Sequence, residues 1–311
     1  MTPPQSGTAT VLMATFNGAR FLDEQLQSLA DQQWNNIDLL VSDDGSQDDT
    51  PAILKRWQAR WSKGRFDIVA GPRQGFAENF RSLILRANTD AAYTACCDQD
   101  DIWRPDKISA AVAALSADPA QPSLYFARTE YVAEDGATHR GYSPLFKRQP
   151  SFRNAIVQSI GGGNTIVLNK PALALMAESV RRTGFVSHDW WAYQIVAGAG
   201  GRVIYDPVAR IAYRQHGSNL VGENTSLAAQ LDRLKRMFEG GFAAWTSRNI
   251  AGLQACADLL TPENRALLER FAESRQSSLF GRVHAVLDTG VHRQTLIGNI
   301  ALVVQAATGR L

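Results

Sequence analysis

The chain has 311 residues and a formal net charge of +2, enough for one large domain with an appendage and without the basic surplus of a nucleic-acid binder. Its 45% hydrophobic and 20% charged content excludes global disorder. Cys96, Cys97 and Cys256 form no CxxC pair; they read as small buried residues in a reducing compartment, which excludes a disulfide framework and a zinc site.

The first ten residues are polar, with no basic region leading into an apolar stretch, so no signal peptide is expected. No apolar run approaches the roughly 18 residues of a spanning helix. A cytoplasmic protein is expected, and peripheral contact with a membrane stays open.

Strand and helix signals alternate through the first hundred residues. Residues 10–15 are a short apolar run ending at the turn Asn17-Gly18, and Leu22, Leu26 and Leu29 then recur at helical spacing. Residues 37–41 form a second run, ending in Ser42-Asp43-Asp44-Gly45-Ser46. A helix start follows at Asp48-Asp49-Thr50-Pro51, with Ile53, Trp57 and Trp61 on one face. Residues 66–70 predict a third strand, 76–86 a helix and 93–97 a fourth strand, which runs into Asp98-Gln99-Asp100-Asp101. This alternation predicts an α/β fold with right-handed crossovers and a mostly parallel sheet. Ligands of such sheets bind outside the carboxyl ends of the strands, where the three polar clusters fall.

Beyond Pro119, residues 123–131 predict a strand, 139–154 a polar loop and 165–168 a strand after Gly161-Gly162-Gly163. Residues 171–180 and 188–196 predict helices, and 203–205 and 211–214 two strands. From about Ser226 onward the signals are helical. A boundary near Gly222 divides a catalytic domain, 1–222, from a helical extension, 223–311. In the tail, Leu296, Ile297, Ile300, Val303 and Val304 supply an apolar face. It can pack on the catalytic domain, or lie on the inner leaflet where Arg282, Arg293 and Arg310 would meet anionic lipid.

Several residues can carry chemistry. Carboxylates at Asp98 and Asp100 can face one hard cation, Mg²⁺ or Mn²⁺, which would neutralise a leaving diphosphate; the plainer reading is a solvated acidic turn. Asp43 and Asp44 can bind a base and a ribose, or can form an Asx turn. Asp189 heads a helix and can be a general base or a simple cap. Trp190 and Trp191 can form a stacking wall for a sugar; alternatively they are core, with at most one on the helix's apolar stripe. His216 can be a third metal ligand or a structural histidine. The triple glycine precedes a strand and lacks the dinucleotide spacing, and no P-loop is present, which argues against a nicotinamide enzyme and a kinase.

Over residues 8–220 the chain resembles the family-2 glycosyltransferases of the GT-A fold. The likeness rests on Val11-Leu12-Met13-Ala14-Thr15-Phe16-Asn17-Gly18, on Ser42-Asp43-Asp44-Gly45-Ser46 with Asp49-Thr50, and on Asp98-Gln99-Asp100-Asp101-Ile102-Trp103 with Pro105-Asp106-Lys107. The resemblance implies an inverting, metal-dependent transfer from a nucleoside-diphosphate sugar. Thr15, Asn17, Asp43 and Asp44 would hold the nucleoside, and Arg73 would reach the phosphates. Asp98 and Gln99 would line the donor site, Asp100 and Asp98 (with His216) would hold the metal, and Asp189 would be the base. His188-Asp189-Trp190-Trp191 and the run from Tyr213 to Asn219 resemble the bacterial rhamnosyltransferase-like branch. That branch implies dTDP-rhamnose as donor and a saccharide or lipid-linked acceptor in O-antigen-type polysaccharide. A QxxRW motif and membrane spans are missing, unlike the processive synthases. Two rivals are a haloacid-dehalogenase-like phosphatase, whose Asp-x-Asp normally ends the first strand, and a non-catalytic sugar-nucleotide-binding module.

Overall fold

The computed structural model describes residues 7–216 and 241–311. The expected boundary near Gly222, and Gly217 to Asn219, lie outside the described residues.

Four parallel strands form the half of the sheet that carries the polar clusters. β1 (Ala9–Thr15) lies between β2 (Ile37–Asp43) and β4 (Tyr93–Cys97), with β3 (Phe66–Ala70) beyond β2. Side chains alternate across β1: Val11 and Met13 enter one core and Leu12 the other. Burial on both faces explains why the strand reads as an unbroken apolar run. Helices α1 (Ala19–Ala30), α2 (Thr50–Arg60) and α4 (Lys107–Leu115) cover the first face through Leu22, Leu26, Ile53, Trp57, Ile108 and Val112. Helices α3 (Phe76–Arg86), α6 (Lys170–Arg182) and α7 (His188–Gly198) cover the other through Phe80, Leu83, Leu173, Met176, Trp191 and Ile195. The chain leaves β1 for β2 on one side and reaches β4 on the other. The crevice between the carboxyl ends of β1 and β4 is therefore a topological switch point.

The rest of the sheet is mixed. β8 (Val167–Asn169) is antiparallel to β4, and β6 (Ser123–Val132) is antiparallel to β8. β9 (Arg202–Arg214) runs parallel to β6 and antiparallel to the short β5 (Ile102–Trp103). The two strands expected at 203–205 and 211–214 are thus one. Pro207 has no N–H to give the ladder, and the register slips between Ala127 and Thr129 to accommodate it. The expected loop at 139–154 contains β7 (His139–Tyr142), paired with β6, and the short α5 (Phe152–Ala155), whose cap Ser151 accepts the Asn154 N–H.

The C-terminal part is helical, as expected. It comprises α8 (Gly241–Ala255), α9 (Pro262–Ser274), α10 (Leu279–Thr289) and α11 (Leu296–Ala307). Thr261, Ser278 and Thr295 cap the last three through side-chain oxygens, and Gly290 ends α10 in the left-handed region at φ +65°. Leu267, Phe271, Val286, Leu302 and Ala306 join the same core as Trp191 and Leu12. Among the described residues no helix is long and apolar enough to cross a membrane.

Candidate active site

The loops after β1 and β2 interlock at the crevice. Thr15 Oγ1 donates to Asp43 Oδ1 at 3.2 Å, and Ser46 closes the turn by donating its backbone N–H to Asp43 Oδ2 and its hydroxyl to Oδ1. Asn17 adopts a left-handed conformation at φ +48°, its N–H reaching Ser46 Oγ and its side-chain oxygen accepting the Gln47 N–H, both at 2.8 Å. Asp48 accepts the N–H groups of Ala19 and Thr50, tying the starts of α1 and α2 together. The helix start expected at Asp48-Asp49-Thr50-Pro51 is thus also tied to the start of α1.

Asp44 is buried, and its carboxylate oxygens accept the Arg73 N–H at 2.6 Å and the Gly75 N–H at 3.0 Å. It therefore shapes the β3–α3 loop, a use the sequence did not reveal. That loop puts Arg73 at φ +59° and lays its side chain over Gly45, itself at φ +97°. A Cβ on Gly45 would stand 2.9 Å from Arg73 Nε, so glycine serves both the backbone angle and the approach. The exposed Arg73 guanidinium thus lies over the Asp43-Asp44-Gly45 turn. Gln99 bridges the crevice. Its amide accepts the Phe16 N–H at 2.8 Å and donates to the Phe16 carbonyl at 3.0 Å, so it clamps β1 to β4 and is not a free donor-binding amide.

The acidic cluster lies at the end of β4. The Asp98 carboxyl is pushed up to about 7, first by burial and then by the charges of Asp100 and Asp189. Asp100 Oδ2 is 2.9 Å from His216 Nε2, and the His216 ring packs on Phe21 with centroids 4.8 Å apart. Asp101 is fully buried and accepts from the Asn164 amide; burial pushes its carboxyl well up. Behind it, Lys107 is fully buried with Nζ 3.1 Å over the Trp103 ring, and burial pushes its ammonium down to about 7. The fully buried Arg214, at the end of β9, donates Nε to the Asp100 carbonyl, binds the Glu134 carbonyl and pairs with Glu24.

Asp189 stands in the first turn of α7, and Ser159 Oγ lies 3.2 Å from its Oδ2. The two neighbouring tryptophans do not form an open sugar wall. Both are buried: Trp190 donates to the Ala155 carbonyl and stacks on Phe242, and Trp191 donates to Ser179 Oγ. Every residue of α7 except Asp189 is buried, so no single apolar stripe limits the helix to one inward tryptophan. His188, also buried, stacks on Phe80 with centroids 3.8 Å apart. The residues missed from the sequence are Ser159, Asn164 and Arg214. Arg214 lay in a run already singled out, beside His216, and Asn164 directly follows the triple glycine.

The donor set at β4 is hard: carboxylate oxygens of Asp98 and Asp100, with the His216 imidazole beside Asp100. Among the described residues no three such side chains close into a metal-binding group by themselves. Burial is the main cause of the upward push on Asp98, and the carboxylates of Asp100 and Asp189 add to it; a divalent cation bound there would favour the charged carboxylate. Two carboxylates with sites left for phosphate suit Mg²⁺ or Mn²⁺, which commonly bind through one or two carboxylates and substrate oxygens. All three cysteines are free and buried, and burial pushes the Cys96 and Cys97 thiols up, away from metal-binding thiolate.

Residues 10–173 match glycosyl transferase family 2. The dTDP-rhamnosyl transferase RfbG of Shigella flexneri is 28% identical over 230 residues, 71% of this chain and 78% of that protein. Residues 1–349 of S. aureus TarS, solved with UDP-GlcNAc, superpose with a TM-score of 0.54 at 15% identity, covering 97% of this chain and 92% of that one. The mannosyltransferase PcManGT of Pyrobaculum calidifontis, solved with GDP-Man and Mn²⁺, superposes with a TM-score of 0.52 at 18% identity, covering 99% and 88%.

Proposed function

This chain belongs to glycosyl transferase family 2, and from that premise we propose that it moves rhamnose, with inversion, from dTDP-rhamnose to a saccharide or lipid-linked acceptor of an O-antigen-type surface polysaccharide. That it is a glycosyltransferase using a nucleotide-sugar donor sets aside the phosphatase and the non-catalytic module. Placement of the acidic pair after β4, not after β1, agrees. The rhamnose donor is favoured by the relative that shares 28% of its residues.

The observation that carries the mechanism is that three carboxylates from two elements meet: Asp98 and Asp100 after β4, and Asp189 from the first turn of α7, close enough that its charge acts on Asp98. Thr15, Asn17, Asp43 and Asp44 shape the nucleoside end of the crevice, and Arg73 offers a cation toward the diphosphate. Asp98 and Asp100, with His216 beside them, would hold a divalent metal. When bound, that ion supplies counter-charge to the leaving diphosphate. Asp189 takes the proton of the acceptor hydroxyl as its oxygen bonds to the anomeric carbon. The bond from that carbon to the diphosphate breaks on the opposite face, and the nucleoside diphosphate departs with the bonding pair.

The test is a panel of nucleotide sugars offered with Mn²⁺ or Mg²⁺, with transfer to candidate acceptors read by mass spectrometry. Rhamnose transfer is expected from dTDP-rhamnose, with loss of turnover in excess EDTA and in Asp100→Ala. Full activity in EDTA would remove the metal from the mechanism, and transfer from another donor alone would reassign the sugar.

A further inference from the structure

Helices α10 and α11 each carry two apolar faces. Leu302 and Ala306 of α11 and Val286 of α10 face the core. On the outside, Phe280 is 83% exposed and Leu287 68%; Leu296, Ile297, Ile300 and Val304 are exposed as well. At about 100° per residue, the four outer residues of α11 fall within an arc of about 100°, turned away from Leu302 and Ala306. The two helices pack on each other, so the stripes belong to one surface region. Exposed apolar area on this scale marks an interaction site.

Charge selects the occupant. α11 contains no charged residue, and the one acid on α10, Asp288, stands 3.8 Å from Arg270. Of the three arginines expected to meet lipid, Arg293 is instead buried, donating to the Gln305 side chain and lying over Phe242. Arg282 is engaged by the Ala306 and Ala307 carbonyls. The exposed cations lie at the ends of the patch. Arg310 follows α11. Lys147 and Arg148 are held at its start, because the Gln294 side chain hydrogen-bonds both the N–H and the carbonyl of Arg148. None of the three has a carboxylate partner among the described residues. A second copy of the chain on this face would set cation against cation, whereas an anionic bilayer satisfies both the apolar centre and the basic ends.

We propose that the outer faces of α10 and α11, with Lys147, Arg148 and Arg310, seat the enzyme reversibly on an anionic membrane surface. This goes beyond the transfer reaction and holds whichever sugar is moved. The patch is tied to the catalytic cleft. Gln158 accepts the Gln294 N–H, and the next residue, Ser159, contacts Asp189. An acceptor carried on a lipid would therefore lie in the surface on which the enzyme rests.

Cosedimentation of the full chain with vesicles of phosphatidylcholine, with and without phosphatidylglycerol, tests this. Binding is expected to the anionic vesicles at low salt and to weaken as salt rises. Phe280→Gln with Ile297→Gln should lower partition at least about tenfold. Lys147→Gln, Arg148→Gln and Arg310→Gln together should lower it on anionic vesicles, by roughly fivefold per cation, and abolish its salt dependence. Both variants should keep the thermal shift given by nucleotide sugar, which shows that they are folded. A full chain that stays in the supernatant at low salt overturns the proposal. So does a Phe280/Ile297 variant that loses a dimer in sedimentation velocity while vesicle binding is unchanged.

Discussion

Asp189 owes its place to two local facts. The first turn of α7 favours a carboxylate, and the Ser159 hydroxyl steadies it without burying it. Its neighbours on both sides are buried: His188 against Phe80, and Trp190 against the Ala155 carbonyl and Phe242. The backbone at 188–190 is therefore fixed by packing, and the one partly open side chain is the one that can exchange a proton. A helix cap alone would be worth about 1 kcal/mol and would leave turnover untouched. A general base is worth about two to four orders of magnitude in rate. Asp189→Asn separates the readings, because the amide keeps the shape and cannot take the proton. It should retain donor affinity by calorimetry while kcat falls by about two to four orders. A variant with an intact rate would make Asp189 a cap, and one that loses donor binding would move it into the donor site.

The strand ends carry the polar clusters, and they were the most legible part of the sequence. β1 and β4 are buried on both faces and β2 fully on one, so each reads as a compact, mostly apolar run that stops where the polar cluster begins. What lay hidden is how distant elements hold those clusters. Gln99 closes on Phe16 across 83 residues, and Arg214 reaches Asp100 across 114. No local pattern encodes such pairings, and periodicity also failed where Pro207 is absorbed within one long strand. β9 delivers Arg214 under the acidic loop, where its guanidinium meets the Asp100 carbonyl, the Glu134 carbonyl and Glu24. Its carbon also lies 4.6 Å over the Phe21 ring. Arg214→Lys keeps the charge but loses the planar fork, so one ammonium cannot serve all these acceptors. Leaving a buried carbonyl unpaired costs about 1–3 kcal/mol. The variant should melt earlier in denaturant, and nucleotide-sugar binding should weaken because the Asp100 backbone is no longer fixed. Unchanged donor binding alongside a lower melting point would limit Arg214 to a structural role.

At the scale of the molecule, the helical extension and the sheet share one core. Leu302, Ala306 and Leu311 belong to the same apolar cluster as Trp191, Phe126 and Leu12. Polar contacts reinforce the join: Gln294 meets Asn154, the Asn154 amide donates to the His292 carbonyl, and Arg153 binds the Thr289 carbonyl. We propose that the division near Gly222 is one of topology and not of folding, with the described parts melting together. Magnitudes decide what truncation does. Ending the chain after Gly290 strips Val291, Leu302 and Leu311 from the core, at about 1.5–3 kcal/mol for each large apolar side chain. The sum rivals the roughly 5–15 kcal/mol that holds a typical domain folded. The truncated chain should therefore lose its cooperative transition and its nucleotide-sugar binding together, while the full chain shows one calorimetric peak. Phe280→Gln and Ile297→Gln lie on the outer face and should leave that peak in place. Two separate peaks in the full chain, or a truncated chain that still binds donor with an unshifted melting point, would make the extension an independent unit.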